Sequence, residues 1–269
     1  MGKILIGTSG FAYEDWVGPF YPPTLNKAHR LEYYARRFPT VEINSTFYQL
    51  PALPSVYGML NKVDTGFTFF VKAHKDLTHV LRNAEETLPR FKVMLDAYQK
   101  VQKLAGVLLQ FPERFEPTEK NEEYVRRLLD SLHAFRPVVE FRHSQWLSDK
   151  TMAFLTEHHA GYCIVDMPEV RNLPGSRIET TSDIGYIRFH GQNRDQWVKA
   201  STRDARYDYD YSEEELRQWV PVLMNLSKDV KEVYVYFNNH YRGKAAKNAD
   251  SLRSFLESYV IGSNMPRMP

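Results

Sequence analysis

The chain has a single cysteine, Cys163, and therefore no internal disulfide. That excludes a disulfide-stapled fold and suits a reducing compartment. No apolar run approaches the roughly 18 residues of a membrane-spanning helix. Neither sign of charge dominates: 35 basic and 33 acidic residues give a formal charge of +2. Such a balance offers no general argument for a nucleic-acid or membrane partner. The glycine-rich patterns G-x-G-x-x-G and G-x-x-x-x-G-K-[ST] are missing, and with them the common nucleotide loops. G-x-S-x-G, H-x-H and H-E-x-x-H are missing too, which removes the usual marks of a serine nucleophile or a zinc helix. The opening MGKILIGTSG holds too short an apolar run for a secretory leader, and Ile6 breaks the myristoylation pattern. The expectation is a cytoplasmic protein.

What the chain does have is alternation. Its 269 residues are 43% hydrophobic, enough for a large core. Short β-like runs recur at 4–7, 41–44, 68–72, 107–111, 138–142, 162–166, 186–190 and 233–238. Helical stripes fill most gaps between them: 28–38, 90–105, 121–135, 148–159, 212–227 and 245–258. The segment at 212 opens SEEE, a capping-box pattern. Pro221 falls inside that stripe and is expected to kink or divide the helix. The stretch between the sixth and seventh runs shows no helix. The pattern predicts an α/β fold: one domain over 1–261, a (β/α)8 TIM-like barrel with an irregular crossover between strands 6 and 7. A doubly wound open sheet is the rival. Residues 262–269 read as a disordered tail.

In a barrel, alternate strand residues face the helices or the axis. The helix-facing set should be apolar, and the axis-facing set can turn polar at the C-terminal mouth. Seven runs end that way. Glu42 and Asn44, Lys72, Gln110, Glu140 and Arg142, Asp166, Arg188 and His190, and Asn238 all fall on the parity assigned inward. On strand 6 this assignment sends Cys163 and Val165 outward. Cys163 itself reads as a small core hydrophobe.

The stretches GTSGFAYEDW, VEINSTFYQLP, FFVKAHK, LLQFP, VEFRHSQW, YIRFHG and VYVYFNNHYRGKAAKNA resemble the YecE-like family, a domain of unknown function. They span residues 6 to about 249 in family order. The resemblance implies a TIM-like barrel and no particular reaction or catalytic residues.

Three readings of the expected ring compete. In one, its charges form a self-neutralising ion-pair network with no catalytic role, on a ligand-binding or interaction protein. In the second, Lys72, Arg142, Arg188 and His190 clamp an anion, with Glu42 or Glu140 as general base. In the third, Glu42, Glu140, Asp166 and His190 hold a divalent metal, as in a metal-dependent hydrolase or isomerase, although the nearby cations oppose it. A glycosidase pair of Glu42 and Glu140 is a minor option.

The sequence favours the anion reading, with no metal assigned and the cofactor left open. Its ligand would be a phosphate ester, a nucleotide or a nucleic-acid fragment, and phosphoester hydrolysis a reaction to test. Glu42, Glu140 and His190 are the candidate catalytic residues. Asn44, Lys72, Gln110, Arg142, Asp166, Arg188, Asn238 and Asn239 are the candidate substrate contacts. Two loops add to this. Tyr13, Trp16, Phe20 and Tyr21 after strand 1 form either a stacking wall or a satellite core. The loop after strand 7 interleaves Arg194, Lys199, Arg203 and Arg206 with Trp197, Tyr207, Tyr209 and Tyr211, as a nucleotide lid would. Its aspartates favour a solvated surface loop instead. No membrane partner is expected, and the sequence leaves the oligomeric state open.

Overall fold

A computed structural model describes residues 1–170, 173–199 and 204–264. Among them, eight strands pair in parallel in the order β1-β8-β7-β6-β5-β4-β3-β2. They are β1 (Lys3–Thr8), β2 (Thr40–Ile43), β3 (Thr68–Lys72), β4 (Leu104–Phe111), β5 (Pro137–Phe141), β6 (Gly161–Asp166), β7 (Ile184–Phe189) and β8 (Glu232–Phe237). The helices are α1 (Arg30–Ala35), α2 (Leu53–Leu60), α3 (Ala84–Lys100), α4 (Glu119–Leu132), α5 (Asp149–Glu157), α6 (Arg194–Lys199), α7 (Glu213–Asp229) and α8 (Lys244–Asn264). The expected barrel is therefore present and nearly closed. The crossover from β6 to β7 carries no helix among its described residues.

The main core lies between the sheet and the helices, where Val41, Phe69, Leu109, Val139, Ile187 and Val235 are fully buried. A second cluster fills the barrel itself with Phe70, Leu108, Val138, Cys163, Tyr186, Tyr234 and Tyr236. This aromatic plug occupies the inner positions below the strand ends. It explains why polar inner residues are confined to the mouth: deeper in, a charge would meet only rings and methyl groups.

The β1–β2 seam completes the barrel with few ladder bonds. An isolated bridge joins Ser9 to Glu42, and the Gly10 N–H donates to the Glu42 carbonyl at 2.8 Å. A Cβ on Gly7 would sit 2.2 Å from the Thr40 carbonyl oxygen, so only glycine lets the two backbones approach. The Tyr34 hydroxyl, from α1, bridges the rest of the gap. It accepts from the Thr8 N–H at 2.8 Å and donates to the Thr40 carbonyl at 3.1 Å. Tyr34→Phe strands a buried N–H, and should cost about 1–3 kcal/mol. Urea denaturation checks this; an unchanged midpoint would mean that the seam closes without the hydroxyl.

Several local expectations change. α2 is not among the helical stripes read from the sequence; Pro54 falls in its first turn, where a missing N–H costs nothing. α6 breaks the long loop after β7. Pro221 does not divide α7, whose capping box is complete: Ser212 accepts from the Glu215 N–H, and Glu215 accepts from the Ser212 N–H at 2.7 Å. α8 runs past Ile261 to Asn264, into the expected tail, and residues 265–269 lie outside the described residues.

Strand 6 is the one strand whose facing was misread. β6 and β7 pair Cys163 with Tyr186 and Asp166 with Phe189. Cys163 and Val165 belong to the interior cluster, while Ile164 packs in the outer core. Cys163 and Val165 thus point inward and Asp166 outward. Both faces of YCIVD are apolar until Asp166, so the lone charge decided the parity and decided it wrongly.

Candidate functional site

At the C-terminal mouth the inner residues of β2, β5 and β7 meet in one buried network. Arg188 donates through Nη1 to Glu140 Oε2 at 2.6 Å and through Nη2 to Glu42 Oε1 at 2.8 Å. The Tyr186 hydroxyl, one layer below, donates to Glu42 Oε2 at 2.5 Å. Arg142, just past β5, donates through Nε to Glu140 Oε1. Both oxygens of each glutamate are therefore taken, and both glutamates are 0% exposed. Burial alone would push the Glu140 carboxyl up, but Arg142 and Arg188 outweigh it and hold the group well below the usual carboxylate range. The same carboxylates, Glu42 first, hold the Arg188 proton firmly against the opposing pull of burial.

His190 and Asn238 extend the network. Burial, then Arg142, pushes the His190 imidazole well below its ordinary range, so it is neutral. Arg142 Nη2 lies 2.9 Å from His190 Nε2 and must donate to it. Nδ1 then carries the proton and needs an acceptor. Asn238 Nδ2 lies 3.0 Å from Nδ1; with the proton on Nδ1, the amide is assigned the flipped orientation in which its oxygen accepts there. Arg142 thus arrives fixed at Nε and Nη2, while Nη1 makes no hydrogen bond among the described residues.

Lys72 and Gln110 form the second part of the mouth. Lys72 Nζ donates to Gln110 Oε1 at 3.0 Å and stands 4.7 Å from the centroid of the Phe47 ring. It is half-buried and makes no ion pair with a carboxylate among the described residues. Burial, reinforced by Arg188, pushes the ammonium down to about 7, against the pull of Glu42 and Glu140. At neutral pH much of this amine is uncharged.

Beside Arg142 a cavity of about 330 Å³ opens between β4, β5 and the loop after β7. Gln110, Pro112, Glu113, Arg142, Val170, Leu173, Trp197, Val198, Arg206 and Tyr207 line it. The Arg142 and Arg206 guanidinium carbons lie 5.5 Å and 5.6 Å from the Trp197 ring centroid. The Trp197 indole N–H is buried and has no partner among the described residues.

The mouth therefore brings together Glu42, Lys72, Gln110, Glu140, Arg142, Arg188, His190 and Asn238. Asn44 stands at its edge, before the turn Ser45–Phe47, with a buried and unpartnered Oδ1. Two expected contacts are elsewhere. Asp166 faces the outer layer, where Gln192 donates to its Oδ1; burial raises its carboxyl to about 6. Asn239 also points outward, donating to the Tyr209 carbonyl at 2.8 Å and to Asn248 Oδ1 at 2.7 Å. The proposed metal set does not assemble. Asp166 is turned away, each glutamate oxygen already accepts a hydrogen bond, and no group of three metal-binding side chains exists among the described residues.

The two loops divide between the readings given for them. Trp16 and Tyr21 are fully buried, with Phe20 packed against Tyr33 and Phe38, so most of the first loop is satellite core. Only Tyr13 reaches the mouth, stacked on His240 at 4.5 Å. From the second loop, Trp197, Arg206 and Tyr207 wall the cavity, Arg194 is exposed, and Tyr209 and Tyr211 pack outward. Arg203 and the Lys199 side chain lie outside the described residues. Sequence reasoning missed Phe47 altogether. It stands in the stretch VEINSTFYQLP, where no periodic signal singles it out.

The model of a family described as "Protein of unknown function DUF72" matches residues 5–268. A relative, the UPF0759 protein YunF of Bacillus subtilis (strain 168), is 30% identical over 275 residues, covering 96% of this chain and 96% of its own. The crystal structure of a DUF72 family protein from Thermotoga maritima MSB8 is 39% identical, with a TM-score of 0.88 over 95% of this chain and 99% of that one. Another from Enterococcus faecalis V583 is 25% identical, with a TM-score of 0.85 over 94% of this chain and 95% of that one. The YecE-like resemblance is a close label for this family, not its exact one.

Proposed function

This chain belongs to the DUF72 family, and from that premise we propose that its barrel mouth binds a small anion of the phosphate-ester or nucleotide class, as an enzyme would. The observation that carries the reading is Arg142. Glu140 and His190 fix its orientation while Nη1 is left uncommitted, and the residue lines a cavity with Arg206 and the unpartnered Trp197 N–H. A prepositioned guanidinium beside further donors is the arrangement that binds an oxyanion with little ordering cost. The family match supplies the barrel and names no substrate.

Roles follow from access. Glu42 and Glu140 have no free oxygen, so they act through the arginines as positioning residues. His190 positions Arg142 in the same way. Lys72, half-buried and titrating near neutrality, takes over proton transfer at the reacting end of the ligand. Phosphoester hydrolysis is the first reaction to assay, with phosphomonoester and phosphodiester substrates.

Calorimetric titration with inorganic phosphate and with adenosine monophosphate tests the reading. Wild type should bind one equivalent, more weakly as salt rises. Arg142→Met should lose at least about tenfold in affinity, the scale of one charge-assisted hydrogen bond. Equal affinity in Arg142→Met, or no binding by the wild type, would overturn it.

A further inference from the structure

We propose that Lys72 is an amine nucleophile, forming an iminium with the carbonyl group of a small anionic aldehyde or ketone bound at the mouth. The inference rests on the anion reading for the charged end of the ligand and adds a chemistry at the other end.

Four features set Lys72 apart. It is half-buried on the inner face of β3 at the mouth, whereas the buried Lys103 donates to the carbonyls of Leu60 and Val63 at 2.7 Å. Its amine has no carboxylate partner among the described residues; the nearby acids, Glu42 and Glu140, are committed to arginines. The Phe47 ring covers one side and Gln110 Oε1 orients the nitrogen. Gln110 also lines the cavity that holds Arg142, so one side chain links the amine to the anion cradle.

The charged and titratable groups acting on Lys72 are Arg188, Glu42, Glu140 and Arg142, and His79 lies near enough to feel it. Their carboxylate and guanidinium charges cancel. Desolvation then governs, and an apolar wall with neighbouring cations is the setting that frees a lysine from its proton. The support from titration agrees with the geometry: the free amine is available near neutral pH.

The step balances without an outside oxidant or reductant. The Nζ lone pair forms a C–N bond as the carbonyl π pair moves to oxygen. A proton passes from nitrogen to that oxygen, giving a carbinolamine. Nitrogen then expels the oxygen, which leaves as water after taking one proton from solvent, and the C=N⁺ bond remains.

Borohydride trapping tests this. Pyridoxal 5′-phosphate, glyoxylate and uncharged propanal are each mixed with the full chain, reduced, and located by peptide mass mapping. The expected result is a single preferred secondary amine at Lys72 with both anionic aldehydes, little with propanal, and half-maximal labelling near pH 7. Exposed lysines should need a pH nearer 10. Glyoxylate labelling without pyridoxal phosphate labelling would assign a carboxylate rather than a phosphate end. Lys72→Arg, checked for fold by circular dichroism, should lose the preferred label. If no aldehyde favours Lys72 over surface lysines while phosphate still binds, the inference fails and the anion reading stands. If all three aldehydes label Lys72 equally, the amine chemistry stands and the anion reading fails.

Discussion

Glu140→Gln should lower stability by about 3–5 kcal/mol, the cost of removing one partner from a buried ion pair. For a domain of this size that is a fall of roughly 10 °C in melting temperature. Glutamine keeps the volume of Glu140, removes its charge and turns one acceptor oxygen into an amide donor facing a guanidinium. What it leaves behind is Arg188, 1% exposed, with Glu42 as its remaining acid, and Arg142 with none. The neutral His190 cannot replace the lost charge. Burial and not distance makes the effect large. Glu122→Gln breaks the pair between Lys150 and Glu122, also short at 2.7 Å but open to solvent, and serves as the control with an unchanged midpoint. Thermal unfolding of both variants checks the expectation. The same Glu140 variant should lose phosphate affinity, because Arg142 is no longer held at Nε. A shift of under about 2 °C would show that the arginines find other partners and that the network is not what orders the mouth.

Much of this mouth was legible because a barrel strand offers the sequence a two-state signal. In VVEFR, Val139 and Phe141 must face helices, so Glu140 and Arg142 must face the axis. The same logic placed Glu42, Lys72, Arg188 and Asn238. It failed at Asp166 because CIV is apolar on both faces, and the parity then hung on a charge that satisfies itself with Gln192 in the outer layer. Asn239 belongs to the polar stretch FNNHYRGKAAKNA past the end of β8, where no periodicity sets a side chain's direction, and it turns to Tyr209 and Asn248 in the outer layer. The roles were less legible than the positions. Periodicity says that Glu42 and Glu140 face inward. It cannot say that Arg188 bridges them and takes both out of service as bases, because that depends on how far one guanidinium reaches across the axis. Nor does any strand periodicity announce Trp197 on α6, or Arg206 and Phe47 in short helical turns, which reach the mouth from the connections between strands.

Arg188→Met supplies the complementary test, and its signature is the pH dependence. In the native protein the Glu140 carboxyl is held well below its ordinary range. Its contribution to stability is therefore complete above the unfolded value, about 4.3, and is lost as pH falls through the lower folded value. Removing Arg188 reverses the sign. Glu42 then keeps only the Tyr186 hydroxyl and Glu140 keeps only Arg142. Burial now raises a carboxyl instead of being outweighed, so the folded variant binds more protons than its unfolded chain and gains stability on acidification. Relative to wild type the variant should lose about 3–5 kcal/mol at pH 8. The deficit should shrink by up to about 1.4 kcal/mol per pH unit once the raised carboxyl begins to protonate. Urea midpoints at pH 8, 6.5 and 5 measure it. A deficit constant across that range would mean that both carboxylates stay charged and water has entered the barrel. A shrinking deficit would mean that Arg188 exists to keep two buried carboxylates ionised. On the anion reading proposed above, such a network serves to present Arg142 with Nη1 left open, since desolvation offsets most of the stability that its ion pairs add.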